Sequence, residues 1–266
     1  MLFSTSCMRF SLKVGLVSLL GLAAFFGAEP ASATILNGSF ETGNFTGWET
    51  LGQPSIKTST YDQSSPTAGT SQALLSTFCP ARVNNRCKQD GNFLELSNFL
   101  NVNVLNLTAL GDVFEGSALK TTFTVKAGDI LTFDWNFLTD SRDGDERGLY
   151  NDFAFVTISG TVYKLADTFS PFVGILTDTG FENQTGYKTF SYSFTSAGTY
   201  ILGVGIVDVG DGSSDSGLLV DNVVLSSPPP PTSSPTPKGV PEPASVLGVL
   251  VFGVFAAGFR RSRRHK

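Results

Sequence analysis

The chain has 266 residues, of which 41% are hydrophobic and 15% charged, and its formal net charge is −5. Residues 34–226 alone carry 10 Lys and Arg against 21 Asp and Glu, a net charge of −11, which argues against nucleic acid or anionic lipid as a partner and is compatible with cations. The only histidine is His265, so the rest of the chain has no His-based metal site and no Ser-His or Cys-His nucleophile.

Arg9 and Lys13 form a basic n-region, Val14 to Ala28 an apolar h-region, and Ala31-Ser32-Ala33 a small-residue cleavage site. This predicts a signal peptide over 1–33, cut between Ala33 and Thr34, with an uncleaved anchor as the alternative. Residues 34–226 are then a single exported domain, long enough to bury a sizeable core.

That domain opens with Thr34-Ile35-Leu36 and then Asn37-Gly38-Ser39-Phe40-Glu41-Thr42-Gly43-Asn44-Phe45-Thr46-Gly47-Trp48-Glu49. The stretch resembles the opening of the galactose-binding-like jelly rolls, several carbohydrate-binding module families among them. There a first strand runs into an Asn-Gly-x-Phe-Glu turn and then a Gly-Trp strand. Short strands are expected next at Ser55–Ser59 and Ala73–Phe78. Cys79 and Cys87 follow, and Cys7 leaves with the signal peptide. An even pair in an oxidising compartment predicts a disulfide closing the Pro80–Arg86 loop, against two free thiols. Over 92–110, Phe93, Leu96, Phe99 and Leu100 fall at helical spacing, as a short helix or a lid across one end of a sandwich would require.

From Ser117 the period is two. Thr121, Phe123 and Val125 alternate with polar residues, and Ala127-Gly128-Asp129 makes a turn. Leu131, Phe133, Trp135 and Phe137 then alternate with Thr132, Asp134 and Asn136, as in a strand with one buried face. Asp140 to Gly148 is a charged loop. Asp152–Ser159 is apolar on both faces, as a central strand is, and Gly160-Thr161 turns it into Val162–Ala166. Phe190, Tyr192 and Phe194 share one face of the next strand, Tyr200–Val207 returns after a turn at 196–198, and Leu218–Leu225 is last. Many strands, short turns and little helix predict an all-β fold, an antiparallel β-sandwich of jelly-roll type.

Residues 227–239 are a Pro/Ser-rich linker, with Pro228–Pro231, Pro235 and Pro237, read as an extended stalk. Val240-Pro241-Glu242-Pro243 comes next, then an apolar run from Ala244 to Phe259, then Arg260, Arg261, Arg263, Arg264 and Lys266. As a helix the run would be about 24 Å long, short for a hydrocarbon core of about 30 Å, but the arginines can snorkel and hold that end on the cytoplasmic side. The order resembles the PEP-CTERM sorting signal of exported bacterial proteins. The resemblance implies a membrane-anchored stage over 240–266, an exosortase-type enzyme as processing partner, and delivery to the cell envelope or extracellular matrix. A plain tail anchor is the alternative.

Within the domain, the strand Leu218–Leu225 holds a carboxylate, Asp221, on what reads as the face of Leu219, Val223 and Leu225. A buried carboxylate needs a partner. In the jelly rolls that the opening resembles, the equivalent aspartate joins the glutamate of the opening turn around a structural calcium, which implies Glu41 and Asp221 as metal ligands. The alternative is that Asp221 caps backbone N–H groups. The acidic loops 140–146 and 208–215 match no EF-hand and read as solvated turns. Trp48 and Trp135 read as core, leaving Tyr61, Tyr150 and Tyr163 as candidate sugar platforms. The reading is a non-catalytic structural or adhesive protein in contact with exopolysaccharide. A carbohydrate-binding module with a defined glycan is the second reading, and a glycoside hydrolase, which needs two carboxyl groups about 5–10 Å apart, a remote third.

Overall fold

The structure, a computed structural model, describes residues 34–78, 91–140, 150–173, 181–210 and 214–228, and the backbone of 82–83 and 86–87. The chain divides into two compact units, Met1–Ser32 and Ala33–Lys266, and all described residues belong to the second. The signal peptide up to Ala33, Cys79, most of the linker, and Pro241, Glu242, Pro243 and the arginine cluster lie outside the described residues, as does the side chain of Cys87 and with it the disulfide. Among the described residues no helix is long and apolar enough to cross a membrane.

In chain order the elements are β1 (Glu49–Leu51), β2 (Ser55–Thr58), β3 (Ser71–Ser76), β4 (Arg82–Val83), β5 (Arg86–Cys87), β6 (Gly91–Asn92), α1 (Phe93–Leu100) and α2 (Val104–Thr108), then β7 (Val113–Val125), β8 (Ile130–Thr139), β9 (Phe153–Ile158), β10 (Thr161–Asp167), β11 (Asn183–Gln184), β12 (Lys188–Ser193), β13 (Gly198–Val209) and β14 (Ser216–Ser226). All pairings are antiparallel. One sheet runs β1-β7-β13-β9-β10 with β6 also on β7; the other runs β11-β8-β14-β3-β2 with β12 also on β8. The two form a β-sandwich. Its core interleaves Leu119, Phe123, Val156, Leu202 and Ile206 from the first sheet with Leu75, Phe133, Trp135, Phe137 and Val220 from the second. The alternation on β8 therefore points inward as expected, and Trp135 and Trp48 are both buried.

The outer face of the first sheet is dry. Phe153 and Phe155 of the doubly apolar β9 point there, and α1 lays Leu96 and Leu100 across them. Glycine makes this possible: a Cβ on Gly203 would stand 2.5 Å from Leu100, and one on Gly205 2.5 Å from the Phe155 ring. Asn92 starts α1 through a capping box, its side chain accepting from Leu94 and Glu95 N–H while Glu95 accepts from Asn92 N–H. The helical spacing over 93–100 was thus real, but the helix covers a sheet face and not one end of the sandwich.

Two sequence expectations are corrected. Residues 34–48 form successive turns and no strand, with Asn37 and Phe40 at positive φ. They dock on β14 through Val223 N–H donating to Gly38 O at 2.9 Å, with Phe40 fully buried against the rings of Phe45 and Trp48. The second correction is on β14. Its register with β8 shifts between Asp221 and Val224, and Asn222 takes a left-handed φ of 52°. This bulge returns Val223 and Leu225 to the core beside Leu218 and Val220, while Asp221 joins Leu219 on the outer face.

Candidate functional site

Once inward positions are assigned, the outer face of the second sheet is left with Asp134, Asn136 and Leu138 on β8, Gln72, Leu74 and Ser76 on β3, and Leu219 and Asp221 on β14. The β2–β3 connection lies over this face. Tyr61 and Ser64 bridge each other by two backbone bonds of 3.0 and 2.8 Å across Asp62 and Gln63, both at positive φ, the conformation of a tight two-residue hairpin turn. Left-handed backbone at two non-glycine residues is held by buried amides. Asn136 Nδ2 donates to Ser64 Oγ at 2.7 Å and to Gln184 Oε1 at 2.5 Å, Ser64 Oγ donates to Gln184 Oε1, and Gln72 Nε2 donates to Ser64 O. Tyr187 donates its hydroxyl to Gln72 Oε1. Burial raises the pKa of Tyr187, with Asp221 and Asp134 adding to it, so the phenol stays a donor.

Beside this turn opens a cleft of about 760 Å³. Phe181 and Leu74 belong to the apolar cluster at its base, half-buried Tyr61 packs on them, and Phe78, 54% exposed, stands on its wall. Polar groups reach it from Gln53, Ser55, Lys57, Ser76 and Asp215. The wall at Gln53 is fixed between sheets. Ser117 Oγ accepts from Gln53 N–H at 2.9 Å and donates to Ser76 O at 2.6 Å, and Gln53 Nε2 donates to Phe78 O at 2.6 Å. Gly52, at φ +80°, lies where a Cβ would meet Ser117 Oγ at 2.4 Å, so this turn accepts only glycine. Of the three tyrosines considered as platforms, Tyr61 alone lines the cleft. Tyr163 packs against Phe190 and Tyr192 at the sandwich edge, and Tyr150 is exposed before β9.

Glu41 and Asp221 grip one loop. Glu41 Oε1 accepts the N–H groups of Thr70 and Ser71 at 2.8 and 2.7 Å, and those two bonds hold its carboxyl below the usual range. Asp221 Oδ2 accepts the N–H groups of Thr67 and Ala68 at 2.7 and 2.9 Å, and Oδ1 that of Asn222 at 2.6 Å. Asp221 is fully buried, and burial raises its pKa despite those bonds. Asp134 faces it in the β8–β14 register, tied by Asn222 Nδ2 at 3.1 Å. Burial works on Asp134 as well, but bonds from Thr189, Asn222 and Thr67 outweigh it and lower its pKa. Among the described residues no three His, Cys, Asp or Glu side chains converge as a metal site. Glu41 Oε2 accepts the Thr70 hydroxyl at 3.2 Å, and Asp221 Oδ1 carries the Asn222 N–H, so both carboxylates are engaged by the loop and the bulge. Asp221, still shifted upward by burial after its amide bonds, is the member of the pair that a cation would relieve, whereas Glu41 is already held down by its own.

A second group of acids gathers where β8, β13 and β14 end. Asp152 is buried, with Oδ1 accepting Val209 N–H at 2.9 Å and Oδ2 the Ser216 hydroxyl at 2.7 Å. Burial lifts its pKa to about 7, Asp140 adding to the shift. Burial, Asp215 and Glu182 lift Asp140 to about 6. Of the two acidic loops, Asp140 and Asp215 are half-buried here, and residues 141–146 and 211–213 lie outside the described residues. The signal of this group in the sequence was only charge density.

No protein-family model matches the chain, and no curated protein matches it. Among solved structures it is similar to a carbohydrate-binding module in complex with β-1,4-galactotriose, at 12% identity over 73% of this chain and 97% of that one, TM-score 0.39. It is also similar to the K3 cleaved adhesin domain of Lys-gingipain from Porphyromonas gingivalis, at 15% identity over 73% and 99%, TM-score 0.38. A third is a carbohydrate-binding module that recognises mannan, at 13% identity over 73% and 95%, TM-score 0.32.

Proposed function

We propose that this chain is an exported, non-catalytic β-sandwich that contacts extracellular polysaccharide through the cleft beside Tyr61. The observation that carries the reading is the lining itself, with aromatic rings of Tyr61, Phe78 and Phe181 next to the amide of Gln53 and the hydroxyls of Ser55 and Ser76. Rings present apolar faces to sugar C–H groups, and amides and hydroxyls serve both as donors and acceptors for sugar hydroxyls. Two-carboxylate hydrolysis would need a pair of acids across the cleft, and Asp215 is the one carboxylate among its described lining residues. Mobility of the purified protein in gels containing exopolysaccharide tests the reading. Retardation is expected, and Phe78→Ala and Tyr61→Ala should each weaken binding about tenfold, the equivalent of about 1.4 kcal/mol. Native mobility in every polysaccharide tried would end the reading.

The same proposal places the domain at the envelope. The PEP-CTERM-like segment and its arginines hold the chain in the membrane until an exosortase-type enzyme cuts after Pro241-Glu242-Pro243, and calcium at Glu41 and Asp221 ties the opening turn to the last strand. Intact-mass measurement of the native protein is expected to find neither residues 1–33 nor the C-terminal end. A mature species still carrying Arg260–Lys266 would exclude processing and leave anchoring.

A further inference from the structure

We infer that the cleft takes an acidic polysaccharide, one whose sugar carboxylates pair with Lys57; this rests on the glycan-binding reading above. On the described part of the domain, lysines next to carboxylates use them. Lys120 pairs with Glu49 at 3.1 Å, and Lys164 pairs with Asp167. Lys57 is different. It is half-buried in the cleft lining, and no carboxylate among the described residues pairs with it. Its ammonium lies over the Tyr61 ring, 4.8 Å from the centroid. The ring fixes the charge by a cation–π contact without neutralising it.

An ammonium offers donors only, and as a compact point charge it suits a single anionic oxygen. The groups around it are neutral: Gln53, Ser55 and Ser76 can address hydroxyls and leave the charge to Lys57. In a domain of net charge −11, a half-buried cation in a cleft, with no carboxylate among the described residues pairing with it, is the feature least explained by solubility or packing.

The other charged group among the described lining residues is Asp215, which repels an anion, so position decides. Lys57 is level with Gln72 in the β2–β3 register, whereas Asp215 precedes Ser216, whose carbonyl accepts from Thr77 N–H beyond the end of β3. Five residues of strand separate the two levels, about 16 Å at about 3.3 Å per residue. A bound chain therefore has its carboxylate at the Lys57 end and uncharged sugar hydroxyls toward Asp215.

Calorimetric titration of the purified protein tests this with oligogalacturonate and alginate oligomers, each beside its carboxyl-reduced neutral form. At least one acidic oligomer is expected to bind about tenfold tighter than its reduced form, and the preference should shrink as ionic strength rises. Lys57→Met keeps the unbranched stem against Tyr61 and removes the charge. It should abolish the preference while leaving thermal unfolding unchanged. Equal or tighter binding of the reduced forms, or a preference that survives Lys57→Met, would overturn the inference and leave the glycan-binding reading standing. Binding of neither form, nor of any neutral glycan, would remove both.

Discussion

Asp221→Ala is expected to lower the stability of the protein by about 3 kcal/mol in urea denaturation, an effect large enough to matter for a domain of ordinary stability. Three backbone N–H groups, those of Thr67, Ala68 and Asn222, lose their acceptor at once. Each such loss costs about 1–3 kcal/mol when water cannot substitute, and Thr67 is exposed enough for water to recover part of it. Removing a charge that faces Asp134 across the sheet offsets a little more. Asp221→Asn should cost less, because its oxygen can keep one set of amides, though its NH₂ must then face the other. A change below about 0.5 kcal/mol for Asp221→Ala would mean the loop is not held by this side chain. Calcium adds a second measurement on the same variants. At a hundredfold excess over its Kd, calcium should stabilise the native protein by about 2.7 kcal/mol and raise Tm by several degrees. Asp221→Asn should abolish that dependence. Identical unfolding of the native protein in calcium and in chelator would leave the amide clamp as the whole reason for a buried Asp221.

The sandwich was readable because period-two burial is local. Leu131, Phe133, Trp135 and Phe137 mark their face within one strand, and the doubly apolar β9 marks its central place. The face of Asp221 was misread for an equally local reason. A bulge is set by one left-handed residue, Asn222, and a strand pattern extrapolated across it inverts every position beyond. The opening strand was misread because its residues form turns that borrow hydrogen bonds from β14, a partner about 185 residues away. The cleft was hidden more completely. Its lining comes from β2, β3 and the residues around 53, 61, 78, 181 and 215, none adjacent on a single motif, and Phe78 and Phe181 look like isolated loop aromatics until the sheet brings them together. Tyr61 could be named beforehand only because it sat near turn residues. Lys57 gave no signal at all, since what distinguishes it is its place in the cleft lining, half-buried against Tyr61.

Stability is expected to fall as pH rises from about 4 to about 7, and Asp152→Asn should remove most of that fall. Asp152 has an ordinary pKa when unfolded and one of about 7 when folded, and Asp140 behaves alike at about 6. Between those limits the folded protein binds more protons than the unfolded chain, so the slope of stability against pH is negative. The contribution is complete below the unfolded pKa and is lost by the time pH passes the folded one. Carboxyls shifted downward, such as Glu41, Asp134 and Asp167, act in the other direction but only below about pH 4, so the two windows separate. Three pKa units would correspond to about 4 kcal/mol, a ceiling that relaxation of the site reduces; an effect on the order of 2 kcal/mol between pH 4 and pH 8 is expected. Asparagine fits the pocket, since its oxygen can accept Val209 N–H and its NH₂ can donate to the Ser216 hydroxyl, which can in turn donate to Thr139 Oγ1. Asp152→Asn should therefore be more stable than the native protein at pH 8 by about that amount and indistinguishable from it near pH 4. Urea denaturation of both proteins across the range decides the matter. A native curve that is flat from pH 4 to pH 8, with Asp152→Asn less stable at pH 8, would show that Asp152 is ionised in its pocket and that the acids gathered at this end are balanced by charges the hydrogen-bond geometry alone does not reveal.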